Sequence, residues 1–193
     1  MRSKVEELIE RMRALQEELS KEYARLAVKY QYSYQKRKII FLEQIKQKHL
    51  ILRTNLLRYI FSASFRNILS APFIYMMIIP SLCLDIFLYI YQKTAFRLYR
   101  IPEVKREDYI IYDRQFLSYL NPIEKINCVY CTYVNGLFSY AVEIGARTER
   151  YWCPIKAARN PKFTPHSQYS HFADYGDPEA YKKLSSDGGG FQS

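Results

Sequence analysis

Three of the chain's four cysteines lie in one stretch, NCVYCTYVNGLFSYAVEIGARTERYWCPIK, which runs from Asn127 to Lys156. Cys128 and Cys131 have the two-residue spacing that places two thiolates on one metal ion, and the same spacing serves thiol redox chemistry. Cys153 is the third candidate ligand. These residues predict a zinc or iron–sulfur site or a redox-active thiol pair, and the remaining interpretation is that all three cysteines only pack.

A shared metal site needs a fourth ligand and a particular chain path. The fourth donor would come from one of four residues: Glu143, Glu149, His166 or His171. If residues 133–152 form one helix, Cys131 and Cys153 lie about 30 Å apart at a rise of about 1.5 Å per residue, too far to share a metal. Sharing therefore requires a break, and Asn135-Gly136 is where we expect it.

Other chemistries find less support in the sequence. Covalent haem attachment needs His directly after CVYC, where this chain has Thr132, and no βαβ pattern surrounds the pair as in thioredoxin-like proteins. The three histidines form no triad, and GxGxxG, P-loop and GxSxG motifs do not occur. Arg147, Glu149 and Arg150 in ARTERYW could hold a phosphate or lipid headgroup, although a solvated helix end is the commoner explanation.

The first element that would position these residues is an N-terminal coiled-coil arm, residues 1–35. From Ser3 onwards, apolar side chains recur at steps of three and four, and Glu6 three residues after Ser3 provides a capping box. The apolar series is Val5, Leu8, Met12, Leu15, Leu19, then Tyr23 or Leu26, and Tyr30. Such a helix pairs with a partner helix or a second copy, or lies on its own protein.

Residues 36–67 predict a basic amphipathic helix in which His49 falls in the apolar seam and is expected to pack. Glu43 is the single acidic residue between residues 29 and 66. Such a helix binds an anionic membrane surface, a calmodulin-like groove or nucleic acid, and the net charge of +10 suits any anionic partner. The candidate membrane-surface cations are Lys36, Arg37, Lys38, Lys46, Lys48, Arg53, Arg58 and Arg66.

The following apolar segment, residues 68–92, favours the membrane. Its run ILSAPFIYMMIIPSLCLDIFLYI contains one charged residue, Asp85, and as a helix it would be about 35 Å long, enough to cross a bilayer core. Pro72 and Pro80 predict kinks. Basic residues flank both ends, so we prefer a kinked re-entrant or interfacial hairpin over a single span. A soluble core helix is the third interpretation, because the mean hydropathy of the chain is only -0.30.

Asp85 and Cys83 need separate accounts within that segment. A carboxylate in a membrane must pair or face protein or water, and Lys93 and Arg97 are the nearest cations along the sequence. Cys83 is expected to be an inert apolar side chain.

A helical cysteine-containing domain, residues 93–158, comes next, followed by an irregular or disordered tail, residues 159–193. Asn121 suits an N-cap, Pro122 the first turn, and Glu124 completes a capping box, so a helix is expected from there to about Tyr151. Glu143 and Arg147 are spaced to form an ion pair one turn apart on it.

The segments PFIYMMIIPSLCLD, EKINCVYC with YVNG, and EIGARTERYWCPIK resemble a family of uncharacterised bacterial membrane-associated proteins that carry the same three cysteines. The resemblance covers roughly Ile68 to Tyr181 and leaves out the N-terminal arm. It implies a bacterial origin and a membrane context, with Cys128, Cys131 and Cys153 as the family's cysteines, and it implies no activity. The family pattern has His after CPIK, where this chain has Ala157. This difference weakens any model in which that position supplies the fourth metal ligand.

The sequence therefore predicts an all-α protein on the cytoplasmic face of a membrane, and the resemblance implies that this is a bacterial inner membrane. No secretory signal is recognisable at the N-terminus, so we expect the cysteines in a reducing cytosol. The leading hypothesis is a membrane-tethered interaction or scaffold protein that binds anionic lipids and pairs through its coiled coil with a copy of itself or a partner helix. The alternative is a membrane-bound zinc, iron–sulfur or thiol-redox protein. Nucleic-acid binding is disfavoured by the apolar run.

Overall fold

Helices make up most of the molecule, which confirms the predicted all-α class. The computed structural model describes residues 4–35, 38–159, 166–187 and 191. The chain divides into two compact units: Met1–Pro72 with Tyr112–Cys131, and Phe73–Ile111 with Thr132–Ser193. Each unit is therefore built from two separate stretches of the sequence.

The first unit begins with the long helix that the apolar spacing predicts, α1 (Lys4–Lys29). A short antiparallel hairpin follows, with β1 (Tyr32–Gln35) paired to β2 (Lys38–Phe41) and Tyr32 opposite Phe41. Gln31 joins α1 to the hairpin with a positive φ of 53°, a left-handed conformation that reverses the chain direction after a helix.

The predicted basic helix over residues 36–67 is wrong as a single element. After the hairpin the chain forms α2 (Glu43–Ile51) and α3 (Leu56–Phe61), and a further helix begins at Phe65. Asn55 starts α3 because its side-chain oxygen accepts a hydrogen bond of 3.0 Å from the backbone N–H of Leu57. The run of β-branched and aromatic residues that ends at Phe41 favours a strand over a helix.

The apolar segment forms two consecutive helices, α4 (Phe65–Met76) and α5 (Ile78–Tyr91), and α5 continues into one π-helical turn, Gln92–Phe96. Helical structure from Phe65 to Phe96 is long and apolar enough to cross a membrane, with a mean hydropathy of 2.1 in its 18-residue window. The interruption at Met77 lies three residues before Pro80, which has no N–H to donate to the preceding turn.

The longest helix is α6 (Pro122–Trp152), and its start is formed by the predicted capping box. The Asn121 side chain accepts a 3.0 Å hydrogen bond from the Glu124 N–H, and the Glu124 carboxylate accepts one of 2.8 Å from the Asn121 N–H. The helix passes through Asn135 and Gly136 without interruption, so the predicted break there is wrong.

The C-terminal tail contains more regular structure than predicted. Its described part includes a 3-10 turn, Tyr169–His171, and a helix, α7 (Pro178–Ser186), which Asp177 caps by accepting a 3.0 Å hydrogen bond from the Ala180 N–H. Ile155 and Ala173 form a parallel bridge, so the tail pairs with the chain that leaves α6.

Candidate functional site

The three candidate metal ligands lie along α6 and just beyond it. Cys128 and Cys131 are one turn apart on the helix, and Cys153 follows its C-terminal end. Because α6 is continuous, the chain reversal that a shared site requires is not found. In the described stretches of the chain, no group of three or more His, Cys, Asp and Glu side chains is placed to hold a metal ion. The three thiols are therefore not brought together.

The residues considered as a fourth ligand have other contacts. Glu143 is buried and accepts hydrogen bonds from Arg147 Nε at 2.9 Å and from Ser167 Oγ at 2.6 Å, so the predicted Glu143–Arg147 ion pair is formed. His166 Nε2 lies 3.1 Å from the Glu149 carboxylate. These side chains hold the tail against α6, which explains their polarity without a metal.

The arginines of ARTERYW also serve the fold. Arg147 Nη1 donates to the backbone carbonyl of Pro102 at 2.7 Å, so it joins α6 to the segment that follows α5. Arg150 donates to the Gln168 side-chain oxygen at 2.8 Å, and its guanidinium lies over the Phe191 ring. The proposed phosphate-binding arginines are thus positioned by protein acceptors.

Gly136 lies inside α6, although glycine weakens helices, because another segment of the chain passes close to the helix at this position. A Cβ atom at this position would lie 2.7 Å from the Tyr109 carbonyl oxygen and 3.0 Å from the Ile110 Cα. Only a residue without a side chain lets the backbone of residues 109–110 cross α6 this closely. At Gly145 on the same helix, a Cβ would meet nothing within 4 Å.

The polarity of α5 is inverted relative to a surface helix of a soluble protein. Five of its large apolar side chains are exposed by half or more, and they share one broad side of the helix: Ile79, Leu82, Ile86, Phe87 and Ile90. Ser81 and Gln92, on the opposite side, are buried at 2% and 4% exposure. Only 6% of the apolar 18-residue window is buried within the protein. A soluble core helix would bury that window, so the pattern argues against this third interpretation.

Asp85 lies on the inward side of α5 and is fully paired. Arg106 binds its carboxylate with two nitrogens, Nη2 at 2.6 Å and Nε at 3.3 Å, and the Tyr133 hydroxyl donates a third hydrogen bond of 3.0 Å. The Arg106 guanidinium also lies 5.8 Å from the centre of the Tyr133 ring. The partner is therefore Arg106, and neither Lys93 nor Arg97 fills this role. This arrangement neutralises the one charge within the apolar run.

Gln92 joins three elements of the second unit. Its side-chain oxygen accepts a hydrogen bond from the Val104 N–H, and its nitrogen donates to the Tyr140 hydroxyl at 2.6 Å. Burial raises the pKa of the Tyr140 phenol, and the hydrogen bond from Gln92 opposes that shift. Gln92 therefore satisfies a backbone N–H in a buried position, where an unpaired group would be costly.

Lys93 forms an ion pair at the end of α5. Its ammonium lies 2.7 Å from the Glu103 carboxylate, and Arg97 lies 3.8 Å from the same group. The hydrogen bond from Lys93 lowers the pKa of Glu103 below its ordinary value of 4.5, and burial opposes this only in part. Asp85, Gln92 and Lys93 together fix the segment 103–106 along α5.

The predicted membrane-surface cations fall on several elements of the first unit. Lys36 and Arg37 lie outside the described residues, and Lys38 begins β2. Five side chains are exposed: Lys46 and Lys48 on α2, Arg53 between helices, Arg58 on α3 and Arg66 on α4. They precede the apolar helices in the sequence without forming one stripe on one helix.

The spacing of three polar residues in the sequence indicates which side of α5 faces inward, although the predictions above did not include it. Ser81, Asp85 and Gln92 are separated by four and seven residues, which places them on one side of a helix. Read as a polar stripe in an apolar helix, they indicate a side that faces protein. Arg106, Tyr133 and Tyr140 carry no comparable signal, because their contacts come from chain segments distant in sequence.

Comparison with known proteins finds no matching family model, no similar curated protein and no similar solved structure.

Proposed function

We propose that this chain is a membrane-anchored interaction or scaffold protein, held at the cytoplasmic face of a bacterial inner membrane by α4 and α5. The observation that carries the proposal is the inverted polarity of α5, with exposed Ile86 and Phe87 on one side and the paired Asp85 on the other. Lipid accommodates the first side, and protein contacts satisfy the second.

An interfacial or re-entrant anchor suits α5 better than a helix surrounded by lipid. One side of α5 contacts the irregular segment 103–106 and α6, through Val104 and Tyr140 among others. Irregular backbone is tolerated at membrane depth only where it is covered by protein. The exposed side of α5 therefore enters the bilayer while the opposite side keeps its protein contacts. Basic residues on both flanks of the apolar run support the same topology.

The interaction part of the proposal rests on α1. Leu8, Leu15 and Leu19 repeat along one stripe of this helix, and each is more than half exposed. A 26-residue helix with an uncovered apolar stripe and charged residues elsewhere suits pairing with a second helix. We infer that α1 is the arm through which the anchored protein reaches a partner or a second copy.

The anchor is tested by fractionation of the full-length chain with Ile86→Asp and Phe87→Asp combined. Each aspartate costs about 3 kcal/mol in a membrane interior, so the double variant should move largely to the soluble fraction while the parent resists high salt and alkaline carbonate. Leu15→Asp and Leu19→Asp combined on α1 are the matched control, since they place the same two charges at similarly exposed leucines and should remain membrane-bound.

Release of the parent protein by high salt alone would contradict the proposal, because it would show that only the exposed cations hold the chain at the membrane. Equal release of the control with Leu15→Asp and Leu19→Asp would also contradict it. The arm is tested separately by crosslinking in membranes, where Leu8→Glu and Leu15→Glu combined should abolish the crosslinked species without releasing the protein.

A further inference from the structure

The first unit contains a cavity that neither the anchor nor the cysteines use. It has a volume of about 500 Å³ and lies where the end of α1, the hairpin, α2 and residues 117–119 meet. This volume is within the range of about 300–1,000 Å³ that is typical of small-molecule sites. Five of the residues that line it carry rings: Tyr30, Tyr32, Phe41, His49 and Tyr119.

Four of these rings form a connected wall. Tyr32 and Phe41 face each other across the hairpin with ring centres 5.7 Å apart. His49 contacts the Phe41 ring at 5.2 Å and the Tyr119 ring at 5.1 Å, both edge to face. Aromatic pairs with these separations are mutually stabilising, so the wall is a preformed surface.

The charge of the lining is positive. Lys29 and Lys48 line the cavity, and none of its lining residues is acidic. The Lys29 ammonium lies 5.3 Å from the centre of the Tyr30 ring, so it is held beside the aromatic wall. Nδ1 of His49 is buried and has no hydrogen-bond partner among the described residues. Water does not reach this nitrogen, so His49 contributes its ring to the aromatic wall and not a polar contact.

We propose that this cavity binds a small anion with a planar aromatic body, carrying a phosphate or a carboxylate. The rings supply stacking surface for the aromatic body. Lys29 and Lys48 neutralise the anionic group. Aromatic rings alone could also hold a cation, but Lys29 and Lys48 would repel it and the lining offers no carboxylate to pair with it. The proposal concerns the first unit and stands independently of the membrane anchor.

The test measures binding of naphthyl phosphate, a fluorescent aromatic anion, to the full-length chain in zwitterionic lipid nanodiscs, with empty nanodiscs as the blank. Lys48→Gln should weaken binding about tenfold, which corresponds to about 1.4 kcal/mol. His49→Leu should weaken it several-fold, since it removes the ring that joins Phe41 to Tyr119 in the wall. Lys46→Gln is the matched control, because Lys46 lies on the same helix, pairs with Glu43 and does not line the cavity.

Separate ligands examine each part of the proposal. Naphthoate in place of the phosphate distinguishes the two anionic groups, and binding of either supports the site. Naphthol and inorganic phosphate should each bind at least tenfold more weakly than naphthyl phosphate. Octyl phosphate binding as tightly as naphthyl phosphate would overturn the aromatic assignment. Loss of affinity in Lys46→Gln equal to that in Lys48→Gln, or no binding of any aromatic anion, would overturn the site.

Discussion

Two helices of this protein, α1 and α5, both expose large apolar side chains, but the residues around those side chains differ. On α1, Leu15 and Leu19 form a narrow stripe between charged residues, which is typical of a helix that meets another helix in water. On α5, a broad side is apolar, and the polar residues Asp85 and Gln92 face the protein. The position of the polar residues therefore distinguishes α1, which we propose pairs with another helix, from α5, which we propose enters lipid.

The two helices also differ in the ion pairs that their charged side chains form. The described ion pair between Glu22 and Arg25 on α1 is exposed and lies within one helix, so it contributes little to stability. The pair between Asp85 and Arg106 joins α5 to a segment 21 residues away. Substitutions that break the ion pair on the inward side of α5 should therefore destabilise the second unit. Substitutions that break the ion pair on α1 should leave the fold unchanged.

The largest expected effect is at the crossing of α6 by residues 109–110. Gly136→Ala should lower the free energy of unfolding by about 3 kcal/mol, because the added methyl group contacts backbone atoms that move only if the helix moves. Gly145→Ala, where the methyl group has space, should raise it by up to about 1 kcal/mol through helix propensity. Denaturation in detergent, followed by circular dichroism, measures both. Similar losses in the two variants would show that the crossing is not as close as described.

The next effect concerns the charge within the apolar helix. Arg106→Leu should destabilise the second unit by about 2 kcal/mol, since the half-buried Asp85 carboxylate loses both guanidinium hydrogen bonds. Adding Asp85→Leu should recover most of the loss, because no unpaired charge then remains. Arg25→Leu on α1 is the counterpart and should change stability by less than about 0.5 kcal/mol. Thermal unfolding of the four proteins provides the measurement, and a double variant as unstable as Arg106→Leu alone would refute the pairing.

A smaller, pH-dependent effect is expected at the end of α5. The pKa of Glu103 is lowered in the folded state, so its contribution to stability is present above the unfolded-state pKa and disappears as the pH falls through the lower folded-state pKa. The parent should therefore exceed Glu103→Gln in melting temperature at neutral pH, and the two should converge in acid. A difference that persists at the acidic end would indicate a role other than the ion pair with Lys93.

The smallest effect is expected for the cysteines of the candidate metal site. Combined substitution of Cys128, Cys131 and Cys153 by Ser should leave metal content, absorption spectrum and melting temperature close to those of the parent, because α6 does not bring the thiols together. The comparison requires protein extracted without oxygen. Stoichiometric zinc or iron in the parent that is lost in the variant would restore the metal-binding alternative.

Local signals in the sequence predicted local structure well. The capping box at Asn121 and the ion pair between Glu143 and Arg147 depend only on residues three and four apart, and both are formed as predicted. Gly136 shows the limit of such signals. The low helix propensity of glycine led us to expect a break in α6 here. The structure instead has glycine at this position because Tyr109 and Ile110 approach the helix closely, and no residue spacing within α6 encodes that contact.

The same limit applies to the candidate site. The apolar run and its need for a partner at Asp85 were evident, but Arg106 belongs to an aperiodic segment, so its position depended on tertiary packing. The predicted basic helix failed for a different reason. Its positive charge and apolar spacing outweighed the strand preference of Ile39, Ile40 and Phe41 in the interpretation, although these residues favour the observed hairpin.

The most direct test of the anchor uses Cys83, which is exposed on the outward side of α5. In the variant with Cys128, Cys131 and Cys153 replaced by Ser, Cys83 is the single cysteine and can carry a spin label in native-like membranes. The account predicts that oxygen, which dissolves in lipid, relaxes this label strongly while a water-soluble nickel chelate hardly does. A label introduced by Glu17→Cys on the exposed, charged side of α1, in a chain that also carries Cys83→Ser, should show the reverse. Strong relaxation of the Cys83 label by the nickel chelate would contradict the membrane anchor.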